Sequence, residues 1–294
     1  MTDKIETRNS ISSRIYRGVT YNSQSPQQKL DIYLPTDSSD MRLPALLWVH
    51  GGGWAGGSRL SESEFALRQL ERGYVVVGVG YRLSWEAPYP AALVDVRNAV
   101  RFLKKNASDY HIDPNHIAIW GASAGGHLAA LVGTTGHMDN AAVGDYVGIS
   151  SEVQAVIDWW GPSDFLAMSH QWPARCKSHR DSTAASSPES RLLECPVLEC
   201  PDAARAANPI TYLSAKTPPF LIMAGDSDCT VPPKQSELLW AALKRHHVSV
   251  EFALIKGAEH GGPRWYDPAV QAKVDTFLDR YLPSPWLSAI SASP

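Results

Sequence analysis

Five small residues, Gly121-Ala122-Ser123-Ala124-Gly125, stand where an apolar run, Ile117 to Trp120, gives way to a helix-forming one, Ala124 to Val132. A strand that turns so abruptly into a helix brings two stretches of backbone almost into contact. The positions two residues either side of Ser123 must then be small, and both are glycine, which has no Cβ to clash. Such a turn holds its central residue in a strained conformation and lifts the side chain above the sheet edge. The Ser123 hydroxyl then lies at a helix start, where the positive end of the dipole favours developing negative charge. G-x-S-x-G alone is a weak signal, but this is the one match in the chain and it falls between a strand and a helix. The arrangement is that of a nucleophile elbow.

The rest of the chain agrees with an α/β fold, a mostly parallel central sheet flanked by helices. Short β-branched and aromatic runs alternate with amphipathic segments. Arg14 to Tyr21 and Lys29 to Leu34 read as two opening strands, Ala45 to Val49 as a buried strand, and Glu62 to Gly73 as a helix ending on glycine. Tyr74 to Tyr81 is apolar throughout, as a central parallel strand should be. Pro90 to Lys105 carries Leu93, Val96, Val100 and Leu103 at helical spacing. Val153 to Trp159 is a strand. Phe220 to Ala224, Gln235 to Arg245, Ser249 to Ile255 and Val270 to Tyr281 continue as strand, helix, strand, helix. Residues 1–294 form one expected domain, interrupted by an irregular segment, 163–219, which reads as a lid or cap insertion.

Composition narrows the partners. Lys plus Arg is 27 and Asp plus Glu is 30, a net charge of -3. No basic excess points to nucleic acid or anionic lipid. No apolar stretch has the length of a membrane helix. The first twenty residues lack the apolar region of a secretory signal, so the expected location is cytoplasmic, or secreted if a leader has been removed. The expected partner is a small-molecule ester, with no nucleic acid and no membrane, and a homodimer is left open. The four cysteines, Cys176, Cys195, Cys200 and Cys229, contain no C-x-x-C pair and no metal is expected. They permit three pairings if all are bridged, and four reduced thiols if none is. Cys195 and Cys200 are close enough in sequence to pair, which would leave Cys176 for Cys229.

A serine nucleophile needs an oxyanion site, a base and an acid. His50-Gly51-Gly52-Gly53-Trp54 follows the strand at Ala45 to Val49, and consecutive glycines let main-chain N–H groups approach a substrate. Together with the Ala124 N–H these would form an oxyanion hole. After Ser123, the strand at Phe220 runs into Gly225-Asp226-Ser227-Asp228, and the strand at Ser249 into Gly257-Ala258-Glu259-His260-Gly261. Both loops follow strand C-terminal ends, where α/β sheets place their sites. His260 is the expected base. Asp226, directly after Gly225, can be occupied by the N–H groups of its own turn. Asp228, further into the loop, has more room to reach His260 and is the expected acid. His127 is expected to pack or cap within its helix, and His246 and His247 to end one. His170 or His179 could reach the site only if the insertion folds over it.

These motifs resemble the α/β-hydrolase fold-3 esterases, the hormone-sensitive-lipase-like group, and are most similar to its feruloyl/acetyl esterase-like (BD-FAE) branch. The resemblance runs from about Val19 to Tyr281. It rests on HGGGW at His50 to Trp54, the spacing of Gly80 to Ser84, and WGASAGGHLAAL at Trp120 to Leu131. It rests also on WWGPSDF at Trp159 to Phe165, SPESRLL at Ser187 to Leu193, PPFLIMAGDSDCTVP at Pro218 to Pro232, and KGAEHG at Lys256 to Gly261. It implies a cofactor-free esterase whose catalytic residues are Ser123, Asp228 and His260 and whose oxyanion donors are Gly52, Gly53 and Ala124. The pattern G-x-x-D-x-x-V-P, met by Gly225, Asp228, Val231 and Pro232, puts the acid at Asp228. Ala224 stands where relatives often carry a non-catalytic His. No long helical cap precedes the glycine loop, which implies a shallow site.

The expected activity is carboxylesterase, on short acyl esters such as acetyl or feruloyl esters of carbohydrates. A formamidase or small amidase would use the same triad, and a ligand-binding module on the same fold would be expected to lack one of these groups. Trp54 and Trp160 are the candidate substrate-binding residues, with Trp159 and Trp85 able to extend an aromatic wall.

Overall fold

The structure is a computed structural model that describes residues 4–8, 11–35, 41–138, 146–177 and 181–286. Its strands are β1 (Lys4–Arg8), β2 (Ile11–Thr20), β3 (Lys29–Pro35), β4 (Leu43–Val49), β5 (Val75–Val79), β6 (Ile112–Ala122), β7 (Ala155–Trp159), β8 (Phe220–Gly225) and β9 (Val250–Ile255). They form one nine-stranded sheet in the order β1-β2-β3-β5-β4-β6-β7-β8-β9. The pairs from β1 to β5 along the edge are antiparallel, and every pair from β5 through β4 to β9 is parallel. This is the expected α/β architecture.

Every residue of β4 and β5 is buried, because helices cover both faces of a parallel sheet. Side chains alternate between the two faces. Leu47 and Val49 join one core with Val77, Ile119 and Leu128, and Leu46 and Trp48 join the other with Val76, Trp120 and Trp159. The first core is covered by α2 (Ala91–Lys105) and α3 (Ala124–Thr135), the second by α1 (Glu64–Leu67) and α8 (Pro268–Tyr281). Leu93, Val96, Val100 and Leu103 of α2 are all buried, which fulfils their helical spacing, and α7 (Lys234–Arg245) packs beside β8 and β9.

Two expected elements differ. The helix at Glu62 to Gly73 is only α1 followed by a 3-10 helix, Arg68–Arg72, which tightens the turn that buries Gln69 and Leu70 before left-handed Gly73. The irregular segment 163–219 holds α4 (Phe165–Met168), α5 (Pro188–Leu193), α6 (Pro201–Ala206) and a 3-10 helix, Pro209–Tyr212. Each is too short for a visible hydrophobic period and several are started by a cap. Asp164 accepts from the N–H groups of Leu166 and Ala167, Ser187 from Ser190 N–H, and Asn208 from Ile210 N–H. The cysteines are bonded as Cys176–Cys229 and Cys195–Cys200, the pairing that sequence proximity allowed.

β4 is flanked by β5, the next strand in the chain, and by β6 on its other side. The chain therefore reverses its winding at β4, and a crevice opens above the C-terminal ends of β4 and β6. The glycine loop follows β4 and the Ser123 turn follows β6.

Candidate active site

Ser123 has φ 57° and ψ -123°, a strained conformation for a residue with a side chain, and directly precedes α3. The flanking glycines explain how the turn closes. A Cβ on Gly121 would lie 2.1 Å from the Gly125 carbonyl oxygen, and one on Gly125 would lie 2.0 Å from that of Val49. Real Cβ atoms do not come so close, so no other residue fits either place.

The Ser123 hydroxyl donates to His260 Nε2 at 2.9 Å, and His260 Nδ1 donates to Asp228 Oδ2 at 2.7 Å. The second Asp228 oxygen accepts from the N–H groups of Thr230 at 2.7 Å and Val231 at 2.9 Å. Asp228 is fully buried while the His260 side chain is 19% exposed. The carboxylate is thus fixed by its own loop and satisfied on both oxygens. Asp226 takes no part. It accepts from the Ser227 hydroxyl and from Gly257 N–H, both at 2.8 Å, and these two bonds hold its carboxyl below the usual range. Its occupation comes from a neighbouring hydroxyl and from the His260 loop, not from its own turn's N–H groups.

The glycine loop folds back on itself. Ala55 and Gly56 N–H groups donate to the Gly52 carbonyl at 3.1 and 3.0 Å, and Gly52 and Gly53 both have positive φ, 108° and 57°. A Cβ on Gly52 would meet the Gly56 oxygen at 2.3 Å. The N–H groups of Gly52, Gly53 and Ala124 donate to no described residue. His50 braces the loop from below. Its ring stacks on Tyr81 at 4.3 Å, Tyr81 Oη donates to the His50 carbonyl at 2.8 Å, and burial lowers the imidazole pKa to about 4. His50 is therefore neutral at physiological pH.

Gly52, Gly53, Ser123, Ala124 and His260 line one cavity of about 360 Å³, with Asp228 buried behind His260. Trp54 and Trp160 also line it, but each is at least 98% buried, so little of either is open to a ligand. Trp160 stands edge-on to His260 at 5.9 Å and is backed by Trp265. Trp54 packs on His127 and Phe165. The expected aromatic wall is thus shorter than four tryptophans. Trp159 is buried in the core against Trp120, and Trp85 lines a different hollow. His127 packs in the core as expected, with Nε2 donating to Ala207 O at 2.7 Å. His170 is not among the cavity-lining residues, and His179 lies outside the described residues.

Sequence reasoning missed several lining residues, among them Glu62, Pro188, Glu189, Thr230 and Val231. Pro188 and Glu189 come from the insertion. The Pro188 ring reaches the glycine loop, 3.2 Å from where a Gly53 Cβ would stand. The signal was the cap sequence Ser187-Pro188, which fixes a helix start. Glu62 carried none: it sits at left-handed φ 53°, and burial raises its carboxyl pKa against the opposing charge of His260.

Comparison with known proteins follows the same lines. The BD-FAE family model matches residues 30–243. Esterase LipC of Mycobacterium tuberculosis is 30% identical over 247 residues, 83% of this chain and 59% of that protein. The chain spans a little over half the length of such curated relatives. Among solved structures, a truncated carbohydrate esterase from gut microbiota superposes with a TM-score of 0.84 at 29% identity, covering 95% of this chain and 99% of that one. The bifunctional GH43-CE protein of Bacteroides eggerthii superposes with a TM-score of 0.80 at 30% identity, over 91% of this chain and 35% of that one.

Proposed function

The chain belongs to the BD-FAE family, and from that footing we propose that it is a carboxylic ester hydrolase acting through an acyl-enzyme on Ser123. The observation that carries the reading is the unbroken run Ser123 Oγ, His260, Asp228 at 2.9 and 2.7 Å beneath three uncommitted backbone N–H groups.

Ser123 attacks the ester carbonyl as His260 Nε2 takes its proton. Asp228 holds the imidazole in the tautomer that leaves Nε2 free and stabilises the cation that forms. The carbonyl oxygen gathers charge beside the N–H groups of Gly52, Gly53 and Ala124 and the start of α3. His260 then protonates the departing alcohol, and the same ring activates water to release the acid.

The substrates proposed are short acyl esters of carbohydrates. The contact of Pro188 with the glycine loop and the small cavity support a short acyl group. The carbohydrate esterase named among the structural relatives supports the alcohol. The 163–219 insertion, which supplies Pro188 and Glu189, serves as the lid of this cavity.

The deciding test is Ser123→Ala. Turnover of p-nitrophenyl acetate should fall on the order of a millionfold with the far-UV circular dichroism unchanged. A fluorophosphonate should label the parent at Ser123, and labelling at another serine would refute the mechanism.

A further inference from the structure

Trp85 is 68% exposed, whereas Trp54, Trp159 and Trp160 are buried. It is not loosely held. The turn that carries it is fastened on both sides: Ser84 N–H donates to the Trp54 carbonyl at 2.8 Å, and the Glu86 carboxylate accepts from Leu83 N–H at 3.0 Å and from the Ser25 hydroxyl at 2.6 Å. The indole therefore stands in solvent on a rigid mount.

It faces a hollow of about 870 Å³, whose lining includes Ser84, Ser190, Arg191 and Glu194. Arg191 belongs to α5 and Glu194 ends it in a left-handed turn. Tyr89 N–H donates to the Leu192 carbonyl at 2.8 Å, and the Cys195–Cys200 bond closes the following turn, so this wall is also fixed. The Arg191 guanidinium, the Glu194 carboxylate and the Ser84 hydroxyl make no hydrogen bond to a described residue. They offer donors, an acceptor-only group and a hydroxyl that is both. The two charges cancel, so the hollow suits a neutral ligand rich in hydroxyls. Trp85 adds a flat face on which the C–H side of a sugar ring can lie.

The hollow and the Ser123 cavity are lined by chain neighbours on the glycine loop and on α5. Trp54 lines the cavity and Ala55 the hollow; Glu189 lines the cavity and Ser190 the hollow. A ligand that crosses the glycine loop and the first turn of α5 meets both. We propose that the Trp85 hollow is a second sugar subsite, holding the unacylated part of an oligosaccharide ester whose acylated unit lies against Ser123. The proposal rests on the carbohydrate-ester reading above, and adds to it that the substrate is a chain and not a single sugar.

The test compares kcat/KM for acetylated xylo-oligosaccharides, a monoacetylated methyl xyloside and p-nitrophenyl acetate in the parent, Trp85→Ala and Trp85→Phe. The parent should favour the oligosaccharide over the monomer. Trp85→Ala should lower the ratio of oligosaccharide to p-nitrophenyl acetate turnover by about tenfold, through KM and not kcat, and Trp85→Phe should restore much of it. A parent that treats chain and monomer alike, or a ratio that Trp85→Ala leaves unchanged, overturns the subsite while the esterase reading stands. A parent that cleaves p-nitrophenyl acetate and no acetylated sugar overturns the carbohydrate reading and the subsite together.

Discussion

Cys176 is bonded to Cys229, the residue that follows Asp228, so one covalent bond ties the 163–219 segment to the loop that carries the proposed acid. The bond spans 53 residues. In the chain-entropy estimate a closure of that length is worth about 4 kcal/mol. Reduction, or Cys176→Ser with Cys229→Ser, should lower stability by up to that amount in urea titrations. It should also lower kcat/KM for p-nitrophenyl acetate by up to about a hundredfold, because a triad displaced by an ångström loses its alignment. Unchanged turnover after full reduction of this bond would show that the acid loop holds itself.

The choice of acid is a second expectation. Asp228→Asn keeps the shape but favours the wrong imidazole tautomer, a change that costs about ten-thousandfold in kcat in a serine protease. Asp226→Asn should change kcat by no more than about threefold, since that side chain only joins the two loops. Kinetics of the two variants at pH 7.5 decide it, and an inactive Asp226→Asn beside an active Asp228→Asn reverses the assignment.

Acyl length is a third. With Pro188 closing on Gly53, acetyl and butyryl p-nitrophenyl esters should be preferred over the octanoyl ester. A kcat/KM that rises steadily with chain length would mean that the insertion opens to admit it. Formyl amides belong in the same assay, since the triad chemistry alone does not separate them from esters.

Asp158 gives a prediction in pH. It is fully buried on β7, one oxygen accepts from Gly161 N–H at 2.9 Å and the other has no partner among the described residues, and burial raises its pKa to about 7. The unfolded chain releases this proton near pH 4, and the folded one holds it until about pH 7. The unfolded state therefore binds fewer protons across that window, and this residue's contribution to stability falls as pH rises through it. Relative to Asp158→Asn, the parent should lose stability by up to about 1.4 kcal/mol per pH unit between pH 4 and 7, and no more above. Urea unfolding of both at pH 5, 6 and 8 reads the difference, and parallel curves would place the carboxyl in a more polar setting.

The sequence made the elbow and the base and acid loops legible because each is a local pattern with a steric cause. Gly121 and Gly125 are forced by contacts of 2.1 and 2.0 Å, and a requirement that strict is visible in one chain. The parallel strands were legible for a similar reason: burial on both faces leaves an unbroken apolar run such as Val75–Val79. What was not legible depends on distant segments meeting. Trp159 ends a predicted apolar strand, but nothing local to Trp85 shows whether its ring is covered, since that is decided by which distant segments arrive over it. Glu62 and Glu189 likewise become cavity residues only once the loop after β4 and the insertion converge. β1 went unseen because an edge strand paired on one side needs no apolar period.

The sheet order also ranks how firmly each group of the proposed triad is held. Ser123 follows β6, in the buried middle of the sheet, whereas His260 follows β9, the strand at the far edge, whose residues are mostly only half-buried. Local opening begins at such edges and reaches the centre last. On warming, the proposed nucleophile and oxyanion donors should therefore outlast the proposed base: the site should come apart by losing its proton acceptor, at a temperature where most of the sheet is still folded.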